Sequence, residues 1–227
     1  MAAGPESRLL SLPVENLISI YVCCHDIPDA VALSGTCRRL RDIFTAHRNV
    51  IARGHIFRSL SPSDFKLGVM AVVSRGVDPR NRGAVERFLA TYVQKADWPA
   101  STFSLEVAAA LPNLARAADA LAECAFHWFM KTSFTISPTE HARKVRSAFM
   151  VEIAANLFYR VPDESSTLLW KALFPDLEKA FWEAFSFGEI WQAYEMRNPL
   201  ASFVSEGEWA SGHCAEYAGG FAKCTSF

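Results

Sequence analysis

No uncharged apolar run of about 18 residues, the length that a bilayer-spanning helix needs, occurs anywhere in the 227-residue sequence. The one early stretch that imitates a leader, Leu9 to Cys24, is broken by Pro13, Glu15 and Asn16. A helical membrane span is therefore not expected, and the expected compartment is the cytoplasm or nucleus. Glycine never falls into GxxxxGK[ST], GxGxxG or GxSxG, so neither a phosphate-cradling loop nor a nucleophile elbow is written in the chain. The six cysteines, Cys23, Cys24, Cys37, Cys124, Cys214 and Cys224, form no CxxC pair and no disulfide framework, which points to reduced thiols. Cys23-Cys24-His25, Cys124 with His127, and His213-Cys214 are metal-like only in part. A zinc site needs about four ligands, and none of these clusters has a second spaced pair. No metal or other cofactor is expected, and with no local nucleophile and base arrangement the chain reads as non-enzymatic.

What is present is apolar and aromatic. Hydrophobic residues make up 51% of the chain, with seventeen Phe and six Trp, a composition that folds rather than staying disordered. Charge is balanced in total, at −1, but not in place. Arg38 to Arg58 holds six arginines and the single acid Asp42, whereas Pro162 to Phe227 is acidic. A basic strip can hold phosphate. This one lacks interleaved aromatic stacking residues, so a solvated helix face is the favoured reading and a nucleic-acid partner is not expected. Glu178, Glu183, Glu189 and Glu195 read likewise as helix-surface charge.

Helical periodicity dominates. Val14, Leu17, Ile18, Tyr21 and Val22 form an i, i+3, i+4, i+7, i+8 stripe, with Ser11 as the expected cap and Pro13 in the first turn. Asp26-Ile27-Pro28-Asp29 opens a second short helix through Ala30, Val31 and Leu33, which Ser34-Gly35-Thr36 interrupts. Cys37, Leu40, Ile43, Phe44 and His47 then recur at helical spacing, with Arg38, Arg39, Arg41 and Asp42 outward. Three helices in about 37 residues are too little chain to close a core alone. They should lean on a partner or on the downstream chain.

Further on, Ser61-Pro62-Ser63-Asp64, Asp78-Pro79 and Ser137-Pro138-Thr139-Glu140 each place a capping residue before a proline. Two of the stripes they open are Val85, Phe88, Leu89, Tyr92, Val93 and Ala142, Val145, Phe149, Ile153, Leu157. Leu114 to Met130 reads as an Ala-rich helix central to the core. Leu168 to Trp191 reads as one long element with a kink or break before Pro175, carrying Leu169, Leu173, Leu177, Phe181, Trp182 and Phe185. The segment 205–227 is Gly/Ser-rich and expected to be a loose tail. No strand alternation and no fixed-period repeat is evident. The expected fold class is all-α, a three-helix N-terminal module followed by an irregular helical domain.

The opening segment resembles an F-box. Leu12-Pro13 with Glu15 and Leu17-Ile18, a linker with Asp26 and Asp29, then Leu33-Ser34 and Thr36-Cys37-Arg38-Arg39-Leu40-Arg41 are similar to that family's LPxE start, aliphatic helix, Asp-containing turn and LS-x-TCRRLR end. The last block is typical of F-box-like proteins of fungi. Asn16, Val22 and Cys23-Cys24-His25 depart from the pattern. The resemblance implies a docking module over residues 9–51, a helical recognition or scaffold domain over 60–204, and a role as substrate-recognition subunit of an SCF-type cullin-RING ubiquitin ligase. The implied partners are a Skp-type adaptor, the cullin scaffold behind it, and a protein substrate whose identity the sequence does not name. By the family pattern, Leu12, Pro13, Leu17, Ile20, Leu33, Cys37 and Leu40 make the adaptor interface or support it. Leu17 and Cys37 also lie on the packing stripes, while Ile20 lies off the first one. The competing reading is an F-box-like interaction protein that works without ligase assembly.

Overall fold

A computed structural model describes residues 8–95, 98–130, 136–159 and 172–205, without the side chains of 8, 124–130 and 197–205. The described residues are all-helical: α1 Val14–Cys23, α2 Ile27–Ser34, α3 Arg38–Ser59, α4 Phe65–Ser74, α5 Arg82–Phe88, α6 Leu105–Met130, α7 Pro138–Ala154, α8 Pro175–Trp182 and α9 Phe187–Ser205. Two π-helical turns, Leu89–Val93 and Ala155–Tyr159, continue α5 and α7. No described helix is long and apolar enough to cross a membrane. The residues divide into two compact units, within Met1–Phe65 plus Pro99–Pro112 and within Lys66–Trp98 plus Asn113–Phe227.

In the first unit, Leu17, Tyr21, Ala30, Leu40, Ile43, Phe44 and Ile51 form one buried cluster. The α1 stripe faces it as its spacing predicts, with Leu17 and Tyr21 fully buried. Asp26 caps α2 by accepting the Asp29 N–H at 2.8 Å. Ser11 does not cap α1. It ends a 3₁₀ turn, Arg8–Ser11, and Pro13 holds the N-cap position, an extended residue at φ −55°, ψ 153° whose ring offers no acceptor. The third helix runs on to Ser59, across a non-helical residue at His47, because Ile51, Ala52, His55 and Ile56 extend its buried face. Gly54 lets α3 lie close against Val22 of α1. A Cβ there would meet both Val22 methyls, at 2.6 and 2.7 Å, so only glycine fits without movement. Leu105, at the start of α6, packs against the same cluster. Downstream chain thus supplies cover that the first three helices lack.

The second unit is built on α7. From Ser147 to Ala154 every residue is buried, the pattern of a helix surrounded on all sides. Ser137 caps it, accepting the Glu140 N–H at 3.2 Å, with Pro138 in the first turn. Its expected stripe holds except at Ala142, which is exposed. Two other expected starts shift. Residues 61–64 form a turn ahead of α4, and α5 is capped by Asn81, which accepts the Ala84 N–H at 3.1 Å, while Asp78 holds the preceding turn through the Arg80 N–H. The helix expected from Leu114 starts at Leu105 and carries Pro112 inside it. The long element expected over Leu168–Trp191 is two helices. Residues 168–171 lie outside the described residues, as do 206–227; α8 starts at Pro175, where a break is expected, and the helix is interrupted again between Trp182 and Phe187.

Candidate functional site

The Leu12-Pro13 lead and the Cys37-to-Arg41 block, far apart in sequence, are joined by one side chain. The Arg39 guanidinium donates to the carbonyls of Leu10 and Leu12, the latter at 3.1 Å. Arg58 does the same at the other end of α1, donating to the carbonyls of Val22 and, at 3.1 Å, Cys24. Those are C-terminal helix carbonyls, where a cation also meets the negative end of the helix dipole. Between the two arginines, the Tyr21 hydroxyl donates to the Leu40 carbonyl at 3.0 Å and His55 Nε2 donates to the Tyr21 carbonyl at 2.9 Å. The segment just ahead of α1 and the last turn of α1 are thereby both fastened to α3.

This arrangement accounts for much of the arginine burst. Arg53 lies over the rings of Phe57 and Phe103, 5.3 Å from each centroid, and Arg38 is 3.8 Å from Asp42 one turn on. Of the seven candidate docking residues, Pro13 is exposed, and Leu12, Ile20, Leu33 and Cys37 are half-buried against the core cluster. Leu17 and Leu40 are 1% and 2% exposed, so both belong to the core and serve any surface only as support. Pro13, Ile20 and Leu40 therefore do not form a shared open patch. Val31 on α2 is 47% exposed and adds an apolar side chain that the sequence pattern did not single out.

The second unit contains an open cavity of about 420 Å³. Tyr159, Trp182 and Tyr194 supply aromatic walls, Val151, Ala154 and Ile190 an aliphatic lining, and Glu178, Lys179 and Glu183 the charge. The π-helical turn sets the register of Tyr159 where α7 ends, and such insertions recur at functional sites. Glu178 is half-buried and accepts the Trp182 Nε1–H at 3.4 Å. Lys179 pairs with Glu183 at 3.7 Å in solvent. Beyond the cavity, Phe187, Trp191 and Tyr194 follow one another along α9, 80%, 55% and 54% exposed, with adjacent ring centroids 6.5 and 6.3 Å apart.

α9 owes its start to a reciprocal capping box, so Glu189 is not the plain surface charge expected of it. Ser186 Oγ accepts the Glu189 N–H at 3.4 Å, and Glu189 accepts the Ser186 N–H at 2.9 Å. The pattern Ser-x-x-Glu was the available signal. Arg146 reaches the same carboxylate at 2.7 Å. Burial pushes the Glu189 carboxyl up, but the Ser186 and Arg146 hydrogen bonds outweigh it and hold the group below the usual range. A carboxyl lowered on folding stabilises above its unfolded value, about 4.3, and loses that contribution as pH falls through the folded value. In urea titrations the wild type should therefore exceed Glu189→Gln by about 1 kcal/mol at neutral pH, with the gap closing below about pH 4. A gap independent of pH would contradict this.

Among the described residues, one group of three offers closely spaced metal-type ligand atoms: His25, Asp26 and Asp29. Asp26 already serves as the α2 cap, and His25 is exposed. Cys23 and Cys24 are free thiols, and Cys24, pushed up by burial, donates its S–H to the Ile20 carbonyl at 3.5 Å. The side chains of Cys124 and His127, and all of His213, Cys214 and Cys224, lie outside the described set. Comparison with protein-family models, with curated proteins and with solved structures finds no match to this chain.

Proposed function

We propose that the chain is a non-catalytic substrate-recognition subunit of an SCF-type cullin-RING ubiquitin ligase, docking a Skp-type adaptor through the N-terminal helices and holding a protein substrate on the second unit. The observation that carries this reading is the Arg39 bridge. It ties the Leu12-Pro13 lead to the Cys-Arg-Arg-Leu block, the two parts that carry the F-box resemblance, and leaves Pro13 exposed at the head of α1. The half-buried Leu12, Ile20 and Leu33, with exposed Val31, supply apolar surface for a partner. The role needs no chemistry from this chain. Holding a substrate lysine beside a charged conjugating enzyme raises its effective concentration.

A second reading, a helical interaction protein that works without ligase assembly, is favoured by two observations. Leu40 is buried, and Leu105 from downstream packs against the same core. Co-expression with a Skp-type adaptor separates the two. The expected result is an equimolar complex on size-exclusion with the wild type, lost in Leu12→Ala/Pro13→Ala while its circular dichroism stays helical. A folded wild type that elutes without adaptor sinks the ligase reading and leaves the second.

A further inference from the structure

The cavity between Tyr159, Trp182 and Tyr194 is apolar in its walls but not neutral. Glu178 lines it, half-buried, and among the described residues no cation lies within 4.0 Å of its carboxylate. The other acids between Pro175 and Glu195 are met by cations: Asp176 by Arg82, Glu183 by Lys179, Glu189 by Arg146 and Glu195 by Lys144. A partly desolvated carboxylate beside aromatic faces is a receptor for an organic cation, which gains ring-face attraction and a charge-assisted hydrogen bond together.

The surface is too long for a free amine. Phe187, Trp191 and Tyr194 extend the aromatic wall for about 10 Å along α9, the length of two helical turns. Trp191 keeps its polar edge satisfied by donating to Glu195 at 2.9 Å, and the ring remains 55% exposed. Aromatic side chains in this state are the residues that anchor peptide and protein partners. A symmetric dimer through this face would bring Glu178 against the same carboxylate, which argues against isologous self-association here.

We infer that this surface binds a peptide segment of a partner protein in which a basic side chain, lysine or arginine, enters the cavity toward Glu178 and flanking apolar residues cover the α9 aromatics. The inference deepens the substrate-holding role proposed for the second unit. Its test requires no adaptor, so failure of one is distinguishable from failure of the other.

The experiment uses the full chain and a fluorescein-labelled peptide, Gly-Leu-Leu-Lys-Leu-Phe-Gly, read by fluorescence anisotropy at low salt. A partner peptide carrying acetyl-lysine in place of lysine has the same shape without the charge. The expected result is saturable binding of the lysine peptide, at least about tenfold weaker binding of the acetylated one, and weakening with salt. Glu178→Gln keeps an acceptor for Trp182 and should erase the difference between the two peptides. Tyr194→Ala, at an exposed ring, should weaken both. Equal binding of the two peptides, an unchanged difference in Glu178→Gln, or no binding at millimolar peptide overturns the proposal. Binding of n-butylammonium as tight as that of the peptide, or a dimer on size-exclusion that Tyr194→Ala abolishes, overturns it as well.

Discussion

Glu152→Ala should lower the unfolding free energy by about 3–5 kcal/mol, read as a fall in the urea midpoint. The Glu152 carboxylate is 2% exposed at its side chain, and Arg75, 2.9 Å away, is 18% exposed. Oε1 accepts from Arg75 Nε at 2.9 Å and from Asn156 Nδ2 at 3.3 Å, and the same Asn156 amide donates to Ser74 Oγ at 3.1 Å. The network joins the end of α4 to the π-helical turn after α7. Removing the carboxylate leaves a largely buried guanidinium and a buried amide short of an acceptor, and that uncompensated burial, more than the lost attraction, sets the cost. Arg75→Met/Glu152→Met removes both charges together and should regain most of the loss. A single variant within about 1 kcal/mol of wild type would show that the buried pair contributes nothing to stability.

The same contrast between local and distant partners decides how much of the molecule could be read from its sequence. The α1 stripe, the Asp26 cap and the Ser137-Pro138 start were legible because each is settled within one or two turns of chain. The start of α5 was misplaced for a local reason too: Asp78 and Asn81 are both good caps, and only the turn between them decides which one opens the helix. Helix lengths were harder. α3 continues past His47 because Ile51, Ala52 and Ile56 are buried in the first unit, and α6 starts ahead of Leu114 because Leu105 packs against that unit's core, partners that no pattern within either helix announces. The arginine cluster was visible as charge, but its acceptors are backbone carbonyls, which every residue carries, so the Arg39 and Arg58 clamps were not. The cavity was illegible for the same reason. Its lining is drawn from residues 151 to 194, and Glu178 has the same spacing to its neighbours as any solvated helix acid. Only its half-burial beside Trp182 sets it apart.

Tyr21→Ala should cost the first unit about 3–5 kcal/mol, the range for deleting a buried aromatic side chain, whereas Tyr21→Phe should cost about 1 kcal/mol. Tyr21 is fully buried, its ring lies 5.3 Å from Phe44, and its hydroxyl reaches the Leu40 carbonyl at 3.0 Å. Alanine removes the ring and opens a cavity at the centre of the α1–α3 contact. Phenylalanine keeps the packing and removes only the hydroxyl, so the difference between the two variants measures packing against one hydrogen bond. Urea unfolding of both supplies the numbers, and a Phe variant as damaged as the Ala variant would overturn this apportionment. The pair also bears on docking. Tyr21 sits in the α1 stripe one residue after Ile20, yet it faces the core and offers a partner no surface. Tyr21→Phe should therefore retain an adaptor that Leu12→Ala/Pro13→Ala releases. Loss of adaptor in Tyr21→Phe, at nearly unchanged stability, would mean that docking depends on how firmly α1 is fastened to α3 rather than on the side chains at its head.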